Sequence, residues 1–273
     1  MLWLILYIAF RTPAVQDYLT GIVEKKASQK LNTTVELGGI DIDFLDEIVL
    51  EDLYIEDQRG DTLLYSGKFR VAFDVWPALN KTISIRMVEI RNTYANLYQQ
   101  PGSDTLNFAF IPEAFASPDT AQTQDTTSSA WNIQANELLL SDIRFNYDAD
   151  STRMQLALQK FNLFFDEISL EEELISVDEI DIDGLAFGMQ SPAIPSDTTE
   201  QEQQESDTTD SNVINPSGYT FEVDLLTIAD SKLGYQVGQW PTEDTLGSQL
   251  NFENLALTEI QTEVKDIFVG AKK

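Results

Sequence analysis

A short pattern of acidic and aliphatic residues recurs along this chain and limits what it can fold into. EIVLEDLYIED begins at Glu47 and ELLLSDIRFNYD begins at Glu137, with acidic, aliphatic and polar positions in the same order. The central aspartates Asp52, Asp142 and Asp230 are 90 and 88 residues apart. Ordered recurrence at a nearly constant spacing is typical of a repeat architecture. The sequence therefore predicts a copied unit of about 90 residues in roughly three copies, the third cut short.

Longer segments extend the repeat. LQKFNLFFDEI (158–168) matches LNFENLALTEI (250–260) at an offset of 92, and ISIRMVEI (83–90) matches ISVDEIDI (175–182) at the same offset. Both members of the second pair change the parity of their apolar positions, between Ile85 and Val88 and between Val177 and Ile180. Each change predicts a β-bulge. Three threonines are expected to open equivalent strands: Thr62, Thr152 and Thr245.

Each copy alternates between apolar and polar residues. Phe69, Val71 and Phe73 alternate with Arg70 and Ala72. One-sided alternation predicts antiparallel strands with one apolar face and one solvated face. We therefore expect a mainly β fold in which an N-terminal membrane or amphipathic helix precedes an elongated, curved antiparallel repeat sheet. Such a sheet either folds on itself, pairs with a second sheet or leaves an apolar groove.

The N-terminal residues differ from the rest. MLWLILYIAF contains no charge, and as a helix it would span ~15 Å, about half of a bilayer core. We interpret it as the end of a membrane helix; a buried first helix of a soluble domain is the alternative. The residues assigned to the anchor are Leu2, Trp3, Leu4, Ile5, Leu6, Tyr7, Ile8 and Phe10. Residues 12–33 have helical periodicity and predict an amphipathic helix that caps the following sheet. Its apolar side comprises Val15, Tyr18, Leu19, Ile22, Val23, Ala27 and Leu31.

Two Ser/Thr/Gln/Asp-rich segments interrupt the repeat, and their composition predicts disordered inserts at one edge of the sheet. The predicted organisation is an anchor end (1–11), an amphipathic helix (12–33), β units at 34–116, 131–190 and 219–273, and inserts at 117–130 and 191–218.

Composition excludes several functions. The chain has 46 acidic and 17 basic residues, a net charge of −29, so no nucleic-acid partner is expected. It has no cysteine and no histidine, which removes thiol and imidazole chemistry. The best metal-loop candidate, Glu179–Gln190, has Gly184 at the sixth position but Gln190 where a bidentate Glu is needed. We expect neither a catalytic site nor a metal or cofactor.

The N-terminal portion resembles the TamB family of AsmA-like envelope proteins. The residues that carry this resemblance are an apolar N-terminal segment, TPAVQDYLTGIVEKKASQKLNTTVELGGIDIDF (12–44), VLEDLYIEDQRGDTLLYSGKFRVAFDVWPALNKTISIRMVEIRN (49–92) and SDTLNFAFI (103–111). The match covers about 115 residues in order and spacing, and beyond them only β-repetition is shared.

The resemblance implies a single-pass inner-membrane protein with a periplasmic body, curled as an open β-taco. It implies that phospholipid acyl chains are carried between the inner and outer membranes or, in another view, that outer-membrane protein assembly is assisted. An outer-membrane barrel partner is implied through a C-terminal region that this chain lacks. The groove lining is expected to comprise Val71, Phe73, Ile83, Ile85, Leu138, Leu140, Phe145, Leu156, Leu158 and Leu163.

The alternative from a different class is a structural or adhesive envelope repeat protein, in which the same residues form a closed two-sheet core without a groove. A transmembrane barrel is a third reading, but neither the predicted N-terminal helix nor the acidic inserts have a place in it.

Overall fold

The computed structural model describes residues 12–43, 46–100, 102–115, 132–149, 152–169, 172–192, 219–238 and 254–270. These residues form one sheet of 11 strands preceded by a helix of 19 residues. The elements are α1 (Pro13–Leu31), β1 (Val35–Glu36), β2 (Gly39–Asp43), β3 (Glu47–Glu56), β4 (Thr62–Asp74), a 3-10 turn (Trp76–Asn80), β5 (Thr82–Tyr98), α2 (Phe110–Phe115), β6 (Asn132–Ala149), β7 (Thr152–Ser169), β8 (Leu174–Asp183), β9 (Ala186–Ser191), β10 (Thr220–Val237) and β11 (Asn254–Val269).

The sheet is mixed. Its order is β1-β3-β4-β5-β6-β7-β8-β10-β11, with β2 beside β3, and with β9 pairing both β7 and β10. β5 and β6 are parallel, as are β10 and its neighbours β8 and β9, so the prediction of an antiparallel sheet was wrong at these joins. Alternation identifies the faces of a strand but not the direction of its neighbour. Parallel neighbours need a crossover connection, and in the sequence a polar insert lies between β5 and β6 and between β9 and β10.

The predicted repeat is confirmed at its central aspartates. Asp52, Asp142 and Asp230 occupy equivalent places in β3, β6 and β10, and all have left-handed backbones, with φ of 49°, 54° and 46°. This conformation is uncommon outside glycine, and Asn and Asp tolerate it best among the other residues. The recurrent Asp is therefore a backbone requirement of the unit.

These aspartates belong to a row that crosses the sheet and that we call the bulge row. At each strand pair the regular pairing is interrupted at this level. Asn92, in β5, and Gly184, between β8 and β9, also have positive φ, of 49° and 65°. The members of the bulge row are Asp52, Gly67, Asn92, Asp142, Gln159, Gly184, Asp230 and Gln261.

Hydroxyl groups bond to backbone carbonyls beside the bulge row. Ser66 Oγ donates to the carbonyl of Lys68 at 3.2 Å, across Gly67. In the same way Thr93 and Ser231 donate to the carbonyls two residues before them, at 3.3 and 2.7 Å. A buried carbonyl without a partner is costly, so these side chains stabilise the interruption of the ladder.

The two predicted β-bulges are confirmed. In β5, Met87 and Ile85 pair with two consecutive residues of β4, so Arg86 is an extra residue between them. In β8, Glu179 and Val177 pair with two consecutive residues of β7, so Asp178 is extra in the same way. The parity change in the sequence therefore marks a second interruption of the ladder.

The match between 158–168 and 250–260 is not the structural equivalence. Phe161, Ile182, Ile228 and Thr262 lie in one row across neighbouring strands, so β7 and β11 correspond at an offset of 101 instead of 92. Both strands repeat apolar residues at short intervals, so a sequence match can slip along the strand. Thr62 and Thr152 do open β4 and β7, whereas Thr245 lies outside the described residues.

α1 covers the β1–β2 edge of the sheet, as expected, but through polar side chains. Thr20, Glu24 and Ser28 follow one another at intervals of four residues, which places them on one helix face. The N–H groups of Ile40, Leu37 and Val35 donate to Thr20 Oγ1, Glu24 Oε1 and Ser28 Oγ at 3.1, 2.8 and 3.0 Å. The helix thus satisfies an edge that would otherwise offer free backbone groups to another strand. Of the residues predicted for the apolar side of the helix, Tyr18 and Val23 are exposed, whereas the other five are partly or fully buried: Val15, Leu19, Ile22, Ala27 and Leu31.

The predicted single-pass inner-membrane location is not supported. Within the described residues no helix is long and apolar enough to cross a membrane. α1 contains Asp17, Glu24, Lys25, Lys26 and Lys30, and these charges make it too polar for a bilayer core. The residues assigned to the anchor, 2–8 and 10, lie outside the described part of the chain.

Candidate functional site

Three apolar rows cross one face of the sheet, which we call the apolar face. Each row takes one residue from nine strands. The first row is Val35, Ile55, Leu64, Ala95, Phe145, Leu156, Phe187, Leu233 and Leu257. The second is Ile40, Leu50, Phe69, Ile90, Leu140, Phe161, Ile182, Ile228 and Thr262, and the third is Ile42, Ile48, Val71, Val88, Leu138, Leu163, Ile180, Leu226 and Val264.

The bulge row separates the first apolar row from the other two. Leu140 and Ile143 on β6 are three residues apart, so a regular strand would direct them to opposite faces. At the bulge row, two consecutive residues of a strand both point away from the apolar face. Gln159 and Lys160 are both exposed, for example, as are Arg91 and Asn92. The apolar residues on either side of the bulge therefore stay on one face.

The two faces of the sheet differ in exposure at the bulge row. Ser66, Leu158 and Ser231 lie beside the bulge row on the apolar face and are almost fully buried. On the opposite face Asp52 and Asp142, in the bulge row itself, are exposed. The residues beside the bulge row are buried and the rows on either side of them are partly exposed. We call this part of the apolar face the trough, with the first row as one wall, the second and third rows as the other wall, and the buried residues as its floor.

The ten predicted lining residues all lie on the apolar face. Val71, Leu138 and Leu163 belong to the third row, Leu140 to the second, and Phe145 and Leu156 to the first. Leu158 is buried in the floor, whereas Ile83, near the start of β5, is exposed. The remaining eight are partly exposed. Sequence alternation therefore placed these residues on a common face, although it did not show the division into two walls.

Among the described residues the trough is covered at one end only. Val35 and Ile40, at the β1–β2 end of the first and second rows, are each 5% exposed and lie against α1. Leu257 and Val264, on β11 at the other end, are 44% and 40% exposed. All strands of the described residues belong to one sheet, so within them there is no second sheet over the apolar face.

The opposite face is polar and charged. Glu89 is almost fully buried beneath Lys68, Arg70 and Arg91, with Glu47 also bonded to Arg70. Burial alone would raise the pKa of Glu89, but the hydrogen bond from Arg91 and the charge of Lys68 lower it below its ordinary value. This face is held by ion pairs, whereas the apolar face has no comparable charge cluster among the described residues.

Two depressions of about 550 Å³ each lie on the polar face. Tyr94, Arg144 and Lys232 border both, over a floor that includes Ala157 and Ala186. Of the predicted lining residues only Leu156 and Leu158 contribute to their walls. The trough on the apolar face is therefore a different feature from these depressions.

A buried polar cluster lies at the ends of β3 and β5, near the end of α1. Asp57 accepts hydrogen bonds from Tyr98 Oη at 2.5 Å and from Asn107 Nδ2 at 3.2 Å, as well as from the N–H groups of Arg59 and Asp61. Burial would raise the pKa of Asp57, but these hydrogen bonds, that of Tyr98 foremost, lower it. Burial and the bond to Asp57 raise the pKa of Tyr98. Asn107 also donates to the carbonyl of Asn96, so the cluster fastens the chain after β5 to the sheet.

Within the described residues no group of His, Cys, Asp or Glu could hold a metal ion. Gly184, the sixth residue of the tested metal loop, belongs to the bulge row, where its positive φ has a backbone role.

Comparison with protein-family models, with curated proteins and with solved structures found no match for this chain.

Proposed function

We propose that the apolar face binds the acyl chains of phospholipid. The single observation that carries this proposal is the set of three apolar rows that cross nine strands, partly exposed, with no second sheet over them in the described residues. Apolar side chains that continue over such a distance without cover are a marker of a binding surface. A head group would remain in water at the open side of the trough.

The dimensions and energies fit acyl chains. Strands are ~4.8 Å apart, so a row across nine strands has a length of ~38 Å. Each methylene removed from water contributes about 0.8 kcal/mol, without any directional contact. A face of Leu, Ile, Val and Phe with few polar groups favours ligands that are long and apolar and does not select a particular shape. We therefore expect it to bind acyl chains of different kinds.

The resemblance to the TamB family supports the same function, in which lipid passes between membranes along a β-groove. In this proposal the protein acts passively, because nothing in the chain supplies energy. Assistance to outer-membrane protein assembly is the other function that the resemblance implies, and the apolar face would serve it by holding unfolded strands. The lipid proposal is preferred because the rows are continuous and aliphatic.

The alternative is a structural repeat protein whose apolar face is closed by a partner or a second sheet. A matched pair of variants separates the two. Leu140 and Leu139 are neighbours on β6, and Leu140 lies on the apolar face whereas Leu139 pairs with Asn162 in the row of Glu89 on the polar face. The same substitution at both positions changes the same strand but a different face.

The test is native mass spectrometry of the full chain purified in mild detergent, with extraction of bound lipid. We expect phospholipid on the wild type and on Leu139→Asp, and at least tenfold less on folded Leu140→Asp. Circular dichroism checks that both variants retain β structure. A lipid-free, folded wild type, or equal lipid on both variants, would contradict the proposal.

A further inference from the structure

Large apolar side chains are exposed at one end of the strands. Trp76 and Leu79, in the 3-10 turn between β4 and β5, are 72% and 79% exposed. Ile83, Phe221 and Phe268 are also exposed, near the start of β5, the start of β10 and the end of β11. All five lie at the end of the sheet where β5, β6, β8 and β10 begin. We call them the apolar rim.

The turn presents Trp76 and Leu79 in a fixed direction. Ala78 N–H donates to the carbonyl of Val75 at 3.2 Å, and Lys81 N–H donates to that of Ala78 at 3.1 Å. In a 3-10 turn, residues three apart lie one above the other, so Trp76 and Leu79 project from the same side. The exposed pair is therefore part of an ordered turn.

Charge around the turn is unlike that of the chain as a whole. Residues 75–88 contain no Asp or Glu, and they contain Lys81 and Arg86, in a protein of net charge −29. Two acidic residues that contact this segment, Asp74 and Asp46, each pair with Arg86 at 3.2 Å. Other strand ends are acidic: Glu172 and Glu173 are exposed in the β7–β8 turn at this end, and the opposite end carries Glu56, Asp57, Asp61, Asp104 and Asp148.

We propose that the apolar rim inserts into the interfacial layer of a lipid bilayer. Trp is favoured where an apolar environment meets water, and Phe and Leu enter the acyl boundary. The absence of unpaired acidic groups in the turn allows contact with a surface that the rest of the chain would avoid. Glu172 and Glu173 lie between the β5 and β11 parts of the rim, so the turn with Trp76 and Leu79 is the part expected to insert first. This surface is separate from the apolar face and does not depend on lipid binding there.

The test is flotation of the full chain with phosphatidylcholine vesicles. Trp76→Ser combined with Leu79→Ser is expected to lower vesicle binding by about tenfold. The matched control is Tyr18→Ser combined with Val23→Ser, which removes two exposed apolar side chains of α1 and is expected to bind as the wild type does. Equal binding by the rim variant and the control would overturn the proposal, as would a wild type that does not float.

A second readout follows the tryptophan itself. A variant with Trp3, Trp131 and Trp240 replaced by Phe keeps Trp76 as its one tryptophan. Vesicles with brominated acyl chains are expected to quench its fluorescence, since bromine acts only at short range. Absence of quenching in bound protein would show that another region binds the vesicles. Leu140→Asp should lose copurified lipid but still float with vesicles. Flotation therefore tests membrane insertion of the apolar rim, and copurified lipid tests acyl-chain binding by the apolar face.

Discussion

The two ends of the apolar rows show how the same residue types serve different purposes. At the α1 end, Val35 and Ile40 are buried, and the backbone groups beside them bond to Ser28 and Thr20. At the β11 end, Leu257 and Val264 continue the first and third rows but are well exposed. The difference comes from the helix, not from the strands. A row of apolar residues is part of a core where an element covers it and, in our proposal, a binding surface where no described element does.

The largest expected effect contrasts these ends directly. Ile40→Asp places a charge where α1 and β2 exclude water, and we expect a loss of about 4 kcal/mol or more in unfolding free energy. Val264→Asp leaves its carboxylate in contact with water, and we expect a loss below about 1 kcal/mol. Urea unfolding followed by circular dichroism measures both. Equal losses would mean that the β11 end is also covered.

The polar cluster beside α1 gives the next effect. Tyr98→Phe removes the donor closest to the buried Asp57 carboxylate and is expected to cost about 2 kcal/mol near pH 7. Asn146→Leu, at a part-exposed position where the amide bonds only to Tyr94 Oη at 3.3 Å, is the control and should cost less. A Tyr98→Phe variant as stable as the wild type would show that the cluster contributes nothing to the covered end.

The same cluster predicts how stability depends on pH. The pKa of Asp57 is lowered by folding, so its contribution is present above the unfolded value of about 4 and is lost as the pH falls through the lower folded value. The pKa of Tyr98 is raised by folding, so its contribution is present below about pH 10 and is lost above it. Urea midpoints measured from pH 3 to 11 should fall at both limits. In Tyr98→Phe both dependences should weaken, and an unchanged profile would contradict this assignment.

A smaller effect tests the polar contacts of α1. Thr20→Ala leaves the N–H of Ile40 without its acceptor, and we expect a loss of about 1 kcal/mol. Gln29→Ala, at an exposed position of the same helix, should be nearly neutral. If the two variants unfold at the same urea concentration, apolar contact alone holds the helix on the sheet.

The smallest expected effect should be about equal at the α1 end and at the β11 end of the sheet. Asp52→Val, Asp142→Val and Asp230→Val each put a β-branched residue at a left-handed position, at a cost of about 1 kcal/mol. Glycine at the same positions should be tolerated, and Gln159→Val, in the same row without positive φ, is the control. A much larger cost at Asp52 than at Asp230 would show that cover by the helix, and not local backbone strain, sets the effect.

Much of the fold could be predicted from local pattern. Alternation placed Phe73, Leu138 and Leu163 on a common face, and the spacing of Asp52, Asp142 and Asp230 identified equivalent strands. The parity change after Ile85 marked a bulge. What pattern did not reveal was the role of Ser66, Thr93 and Ser231, which bond to carbonyls beside the bulge row. Their signal is a hydroxyl residue next to each bulge position, and it is too common in β-strands to be recognised alone.

The sequence by itself determined which residues form strands, which face of each strand is apolar and where the backbone must turn left-handed. These properties depend on neighbouring residues, through side-chain alternation and the tolerance of Asp and Gly for positive φ. Only the tertiary structure decided that successive units meet through parallel strands, that α1 binds the edge through Thr20, Glu24 and Ser28, and that the apolar rows are covered at one end and open at the other. The direction of neighbouring strands and the burial of the apolar rows depend on contacts between residues far apart in the chain. A local sequence pattern does not reveal such contacts.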